Sequence, residues 1–168
     1  MVKRLIAVFS ALLAFASFAR PIVAADSSFR ALRMHQILEA YHSPMSGHEE
    51  ALIASADKYH LDWTLLAAVA GTESSFGLHM PYTRAGQPCI NPYGWGVYGD
   101  NLMCFDSYEA AADQVAAGLA KGYNTTSLHT IARTYNTVST DAWEAHTQYF
   151  IDRIKNAPIP VSVLPITL

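Results

Sequence analysis

The chain reads as a mainly α protein with one domain and one long irregular loop, and three observations point that way. Six segments repeat apolar residues at spacings of three and four, which is the period of a helix face. The exception runs from His79 to Asp106 and gathers Pro81, Pro88, Pro92, Gly86, Gly94, Gly96 and Gly99. Removing an N-terminal leader would still leave residues 26–168, enough for one domain with its own core.

That leader is expected over residues 1–25. Lys3 and Arg4 precede an apolar run from Leu5 to Phe18, and Val23, Ala24 and Ala25 follow. Basic, greasy and small segments in that order make a secretory signal, and the run is short for a membrane span. Cleavage is placed after Ala25; Arg20-Pro21 makes Ala19 an alternative site, and a retained anchor is the competing reading. Lys3, Arg4 and Arg20 leave with the leader, so the mature chain is more acidic than the full chain's net charge of −3. Such a surface repels nucleic acid, and no basic cluster offsets it.

The helices follow in order. Leu32, Ile37, Leu38 and Tyr41 predict a first, ended by Ser43-Pro44 and Gly47. Glu49 to Tyr59 is a second, with Leu52, Ile53 and Ala56 inward. Asp62 is a suitable N-cap for a third, which runs greasy from Trp63 to Thr72 and then meets Glu73. Ser107 can cap a fourth, with Tyr108, Ala111, Ala112, Val115 and Leu119 on one stripe. Leu128, Ile131, Ala132 and Tyr135 mark a short fifth, and Trp143, Thr147, Phe150, Ile151 and Ile154 a sixth. The domain is placed at 26–157, and the proline-bearing tail over 158–168 is expected to be extended.

A loop as long as 79–106 inside a small domain is usually functional or disordered. Its aromatics argue for order: Tyr82, Tyr93, Trp95 and Tyr98 offer stacking faces beside Asn91 and Asn101, or else form a small satellite core. Cys89 and Cys104 are the chain's two cysteines and lie in the exported part, where oxidation is permitted. Their pairing is expected to close the loop. Two cysteines cannot build a structural zinc site, and His48-Glu49-Glu50 lacks the second histidine of a zincin helix. No metal or other cofactor is implied.

Glu73 is the candidate for chemistry. On a helix, Leu65, Val69 and Glu73 stand one above another, so Glu73 is expected on the face that enters the core. A carboxyl there loses water, its charged form is disfavoured, and it becomes a proton donor near neutral pH. The plain alternative is a helix-terminal glutamate turned to solvent.

The stretch Leu65-Leu66-Ala67-Ala68-Val69-Ala70-Gly71-Thr72-Glu73-Ser74-Ser75-Phe76-Gly77 resembles the catalytic helix of the lysozyme-like soluble lytic transglycosylases, with its Glu-Ser pair. Asn91-Pro92-Tyr93-Gly94-Trp95-Gly96 resembles that family's glycine-containing cleft segment, and Ser107 to Leu119 its next helix. Ile131-Ala132-Arg133-Thr134-Tyr135-Asn136 resembles its Ala-x-x-Tyr-Asn motif. Together these cover roughly residues 50–155. The resemblance implies a lysozyme-like domain whose disulfide-closed loop lines the cleft. It implies that Glu73 cleaves the β-1,4 bond between N-acetylmuramic acid and N-acetylglucosamine in peptidoglycan. Ser74 or Ser75 would position it, Tyr135 would hydrogen-bond near it, Asn136 would support the cleft, and Asn91, Tyr93, Gly94 and Trp95 would meet the sugars.

Two departures are visible. The family's Gly-Leu-Met-Gln is here Gly94-Trp95-Gly96-Val97, and Thr137-Val138 stands where Ala-Gly is usual. The form of Asn91 to Gly94 also resembles bacterial endo-N-acetylglucosaminidases of similar fold. A second carboxylate, for which Asp100, Asp106 and Asp113 are candidates, would favour hydrolysis. With one carboxylate, the muramoyl 6-hydroxyl supplies the nucleophile and closes a 1,6-anhydro ring. Hydrolytic muramidase, endo-N-acetylglucosaminidase and a non-catalytic wall-binding module are the other readings. The implied partners are peptidoglycan glycan strands, with a cell-envelope machine as a further one, and the implied location is the periplasm or the exterior.

Overall fold

Six helices carry the residues described by the structure, a computed structural model that covers 28–97 and 101–159. They are α1 over 28–40, α2 over Glu49–Lys58, α3 over Leu65–Ser74, α4 over Tyr108–Gly122, α5 over Leu128–Tyr135 and α6 over Thr140–Lys155. Among the described residues there is no strand; isolated antiparallel bridges join Tyr82 with Pro88 and Ile90 with Phe105. The protein is mainly helical. No described helix is long and apolar enough to cross a membrane. The expected leader, the tail from 160 onward, and Tyr98, Gly99 and Asp100 lie outside the described residues.

Helix α3 sits at the centre, packed by α2, α4 and α6. Leu66, Ala67, Ala68, Val69 and Ala70 are all fully buried, as expected for a helix apolar on every side. This corrects the placement of Glu73. A helix without a polar face has no single inward stripe, so the spacing from Leu65 through Val69 picks out no direction for the residue above them. Glu73 falls in the last turn, where α3 leaves the core, and as a residue it is exposed.

Small residues let large ones approach. A Cβ on Gly71 would meet ring carbons of both Phe76 and Phe150 at 2.8 Å. Tyr41 joins these rings, with centroids 4.9 Å from Phe76, and Phe76 lies 4.8 Å from Phe150. The cluster ties the end of α1, the turn after α3 and the middle of α6 into one apolar mass. Met34 and Met45, which the spacing argument passed over, are also fully buried in this core.

The helix ends follow local chemistry. Ser107 Oγ accepts the Ala110 N–H at 3.2 Å, as its position predicted. Ser127 and Thr130 form a capping box on α5. Asp62 is not the cap itself but stands two residues ahead of it: its carboxylate takes the N–H of the N-cap Thr64 at 2.9 Å, and α3 begins at Leu65. At the other end α3 stops on three successive left-handed residues, Ser75 (φ 52°), Phe76 (φ 58°) and Gly77 (φ 84°). Residues other than glycine pay on the order of 1 kcal/mol each for that backbone. Two hydroxyls hold it: Ser74 Oγ accepts the Gly77 N–H at 2.8 Å, and Ser43 Oγ donates to the Phe76 carbonyl at 2.7 Å.

The expected disulfide is formed between Cys89 and Cys104, with Cα atoms 5.1 Å apart. Beside it, the Phe105 N–H bonds the Ile90 carbonyl and the Cys89 N–H bonds the Pro81 carbonyl, each at 2.9 Å. The described parts of the loop are therefore held together by their own backbone as well as by the bridge.

Candidate active site at the end of helix α3

The last turn of α3, the loop segment 91–97, the end of α5 and the start of α6 converge on Glu73. Trp143, at the end of the first turn of α6 and almost wholly buried, donates its indole N–H to Glu73 Oε1 at 2.6 Å. The other oxygen, Oε2, lies beside Gly94: a Cβ built there would stand 3.3 Å from it. Gly94 also has a φ of +59°, a backbone that glycine adopts without cost. Two carbonyls fix this glycine's approach. Ser74 Oγ lies 2.7 Å from the Pro92 carbonyl, and the Tyr135 hydroxyl donates to the Tyr93 carbonyl at 2.7 Å.

Next to Gly94 opens a cleft of about 490 Å³, lined by Trp95, Met103, Tyr123, Tyr135 and Thr137 and by no charged side chain. The rings of Trp95, Tyr123 and Tyr135 lie 5.8–6.0 Å from one another, and Tyr135 stacks on Trp143 at 5.0 Å. Trp95 rests on α4 at Gly118, where a Cβ would come within 2.3 Å of its ring. The aromatic row thus ends at the group that holds Glu73. A separate cavity of about 290 Å³, lined in part by His60, Asp62, Gln148 and Lys155, contains none of these residues, and its Asp62 and Lys155 neutralise each other.

Loss of water raises the pKa of Glu73, and the indole N–H, which favours the charged form, opposes that rise. The residue is exposed while its carboxyl is partly desolvated, so the acid is both reachable and partly dry, and Gly94 separates it from the cleft. Neither cause is a second carboxylate. Asp113 pairs with Lys58 at 2.6 Å on the surface, and Asp100 is outside the described residues. Tyr135 is pushed well up, first by burial and then by the charge of Glu73. Burial alone pushes up Tyr93, whose hydroxyl has no hydrogen-bond partner among the described residues.

Of the residues singled out in the sequence, Gly94 and Tyr135 come to Glu73, and Trp95 lines the cleft. Asn91 and Tyr93, expected to meet sugars, are instead 1% and 0% exposed, and Ser74, expected to position Glu73, is 4% exposed. Their polar atoms serve the frame. Asn91 Nδ2 donates to the carbonyls of Trp95 and Met103 at 2.8 Å, and its Oδ1 accepts the Trp95 N–H at 3.0 Å. Ser75 is the left-handed cap of α3. Asn136 shapes the turn between α5 and α6, its Oδ1 accepting the Ser139 N–H at 2.8 Å. Tyr135 bonds the loop backbone rather than Glu73 itself.

Trp143 and Tyr123 were not singled out as site residues. For Trp143 a signal existed: an indole that is largely buried needs an acceptor for its N–H, and the core of α6 offers few. Among the described residues, no group of three or more His, Cys, Asp or Glu side chains is placed to hold a metal ion. Comparison with family models, with curated proteins and with solved structures found no match to the chain.

Proposed function

We propose that the protein is a lytic transglycosylase of peptidoglycan, with a lysozyme-like domain and Glu73 as its single acid and base. One observation carries the reading: a partly desolvated carboxyl has one oxygen held by Trp143 and the other facing a glycine beside an uncharged, aromatic-walled cleft. Aromatic faces suit the apolar faces of sugar rings. The motifs from Leu65 to Asn136 add the substrate and the location: glycan strands of the wall, met in the periplasm or outside the cell, in wall remodelling or in service of an envelope machine.

The mechanism needs no other carboxylate. Protonated Glu73 gives its proton to the glycosidic oxygen as the bond from muramoyl C1 breaks, releasing N-acetylglucosamine with its 4-hydroxyl. The carboxylate then takes the proton of the muramoyl 6-hydroxyl, whose oxygen closes on C1. Glu73 ends protonated, water is not consumed, and the product is a 1,6-anhydromuramoyl end. Intramolecular attack has a high effective concentration, which replaces the second carboxylate of an ordinary glycosidase.

Digestion of a purified cell-wall suspension tests this. The wild type should clear it and release anhydromuramoyl ends by mass spectrometry, and Glu73→Gln should lose about 10²–10⁴ of the rate. Reducing muramic acid ends would mean a muramidase, and reducing glucosamine ends a glucosaminidase. Tight pelleting onto the wall without cleavage would make the protein a binding module. Equal clearing by Glu73→Gln would remove Glu73 as the acid.

A further inference from the structure

We propose that Trp143 is a positioning residue that assigns the acidic proton of Glu73 to Oε2, the oxygen beside Gly94, which itself lines the cleft. This rests on the reading of Glu73 as the acid. An indole nitrogen is a donor only, so it cannot take a proton from a carboxyl. With the Trp143 N–H on Oε1 at 2.6 Å, that oxygen must accept in both charge states. A carboxylic hydroxyl oxygen is a much poorer acceptor than its carbonyl partner, so the proton of the neutral acid sits on Oε2, which lies beside Gly94 and takes no hydrogen bond among the described residues.

The indole is itself fixed by a closed circuit. Trp143 is 3% exposed and stacks on Tyr135 with an interplanar angle of 26°. The Tyr135 hydroxyl holds the carbonyl of Tyr93, and the next residue is Gly94, which returns to Oε2. One side of the carboxyl is thus tied to the other through α6, α5 and the loop. A rotation of the carboxyl that exchanged its oxygens would put a proton on the side where only a donor stands. The titratable groups that face it are phenols: Tyr135 from α5, with Tyr93 from the loop and Tyr123 after α4 in the electrostatic reach of Tyr135. Burial pushes Tyr135 and Tyr93 upward, so both are neutral where a carboxyl titrates.

The test replaces Trp143 in the full mature chain by Phe, which keeps a stacking ring, and by benzothienylalanine, which keeps the indole shape and loses only the N–H. Carbon-13 NMR follows the Glu73 carboxyl through its titration. The midpoint should move up in both variants, because a hydrogen bond to the charged form is gone. On wall substrate, the alkaline limb of the pH–rate profile should move up with it and kcat should fall about tenfold, with KM within about twofold. An unmoved midpoint overturns the proposal. So does a rate lowered equally at every pH with the limb in place, since that is what packing alone would give. If Trp143→Phe fails to fold, the benzothienyl variant decides. If the wild type cleaves no glycan, the proposed function fails, and the titration still decides whether Trp143 sets the proton's place.

Discussion

Helix α3 is held in the core from Leu65 to Gly71 by side chains that have no polar atoms, whereas the segment 79–106 reaches Gly94 through buried polar atoms and one disulfide. In α3 the five residues from Leu66 to Ala70 are fully buried and the neighbouring helices fill around them. In the loop, the buried Asn91 side chain bonds the Trp95 and Met103 backbone, while Ser74 and Tyr135 hold the carbonyls of Pro92 and Tyr93. Apolar packing tolerates substitutions that conserve volume. A buried hydrogen bond does not, because the partner left behind keeps its desolvation cost. Glu73 is thus carried by one wall, a forgiving apolar helix, while the glycine beside its Oε2 is set by the other, an unforgiving polar frame.

The widest separation between the walls should come from Asn91→Ala. It strands the Trp95 and Met103 carbonyls and the Trp95 N–H, and should cost about 3 kcal/mol in urea unfolding. Cleavage should be lost at temperatures where circular dichroism still reports full helix. A change within about 0.5 kcal/mol, as at a surface site, would mean that the loop does not depend on its internal frame. Reduction of Cys89–Cys104 acts on the same wall more gently. The bridge closes a stretch of 15 residues, worth at most about 3 kcal/mol by chain entropy, and the hydrogen bonds survive it. Activity should fall further than helical content; parallel loss of both would make the bridge a support of the whole domain.

The opposite wall should respond the other way. Gly71→Ala drives a methyl into the Phe76 and Phe150 rings, at 2.8 Å from each, and should cost about 2 kcal/mol. Well below the melting temperature, kcat should remain close to wild type, because the rings relax within the apolar cluster and Gly94 stays put. A drop in kcat that matches the Asn91 variant would erase the distinction between the walls.

The same distinction explains what could be read from the sequence. Helices announce themselves by period, so the stripes of α2, α4, α5 and α6 were legible, and Ser107 was legible as a cap because its side chain acts three residues away. The inward face of α3 was not, since a helix buried all round has no period to read. Asn91, Ser74 and Tyr135 were noticed, but their targets are backbone groups, and no residue pattern marks which carbonyl a side chain will meet. Trp143 read as one more apolar residue of α6. Only the position of Glu73, seventy residues earlier in the chain, turns its indole into part of the site.

The smallest effect falls on Glu73 itself, where desolvation and the hydrogen bond from α6 compete. Burial raises its pKa above the ordinary value of 4.5, and the Trp143 N–H pulls it back. A carboxyl whose folded value is raised binds its proton more tightly in the folded state than in the unfolded chain. Stability therefore declines as pH rises from 4.5 to the folded value and is level beyond it. Glu73→Gln has no proton to lose, so the wild type should fall slightly behind this variant across that window and no further above it. Solvent around the exposed residue keeps the difference small. Paired urea titrations at successive pH values measure it. If the wild type instead gained on Glu73→Gln as pH rose, the hydrogen bond from α6 would outweigh desolvation, and Glu73 would be held as an anion rather than as a proton donor.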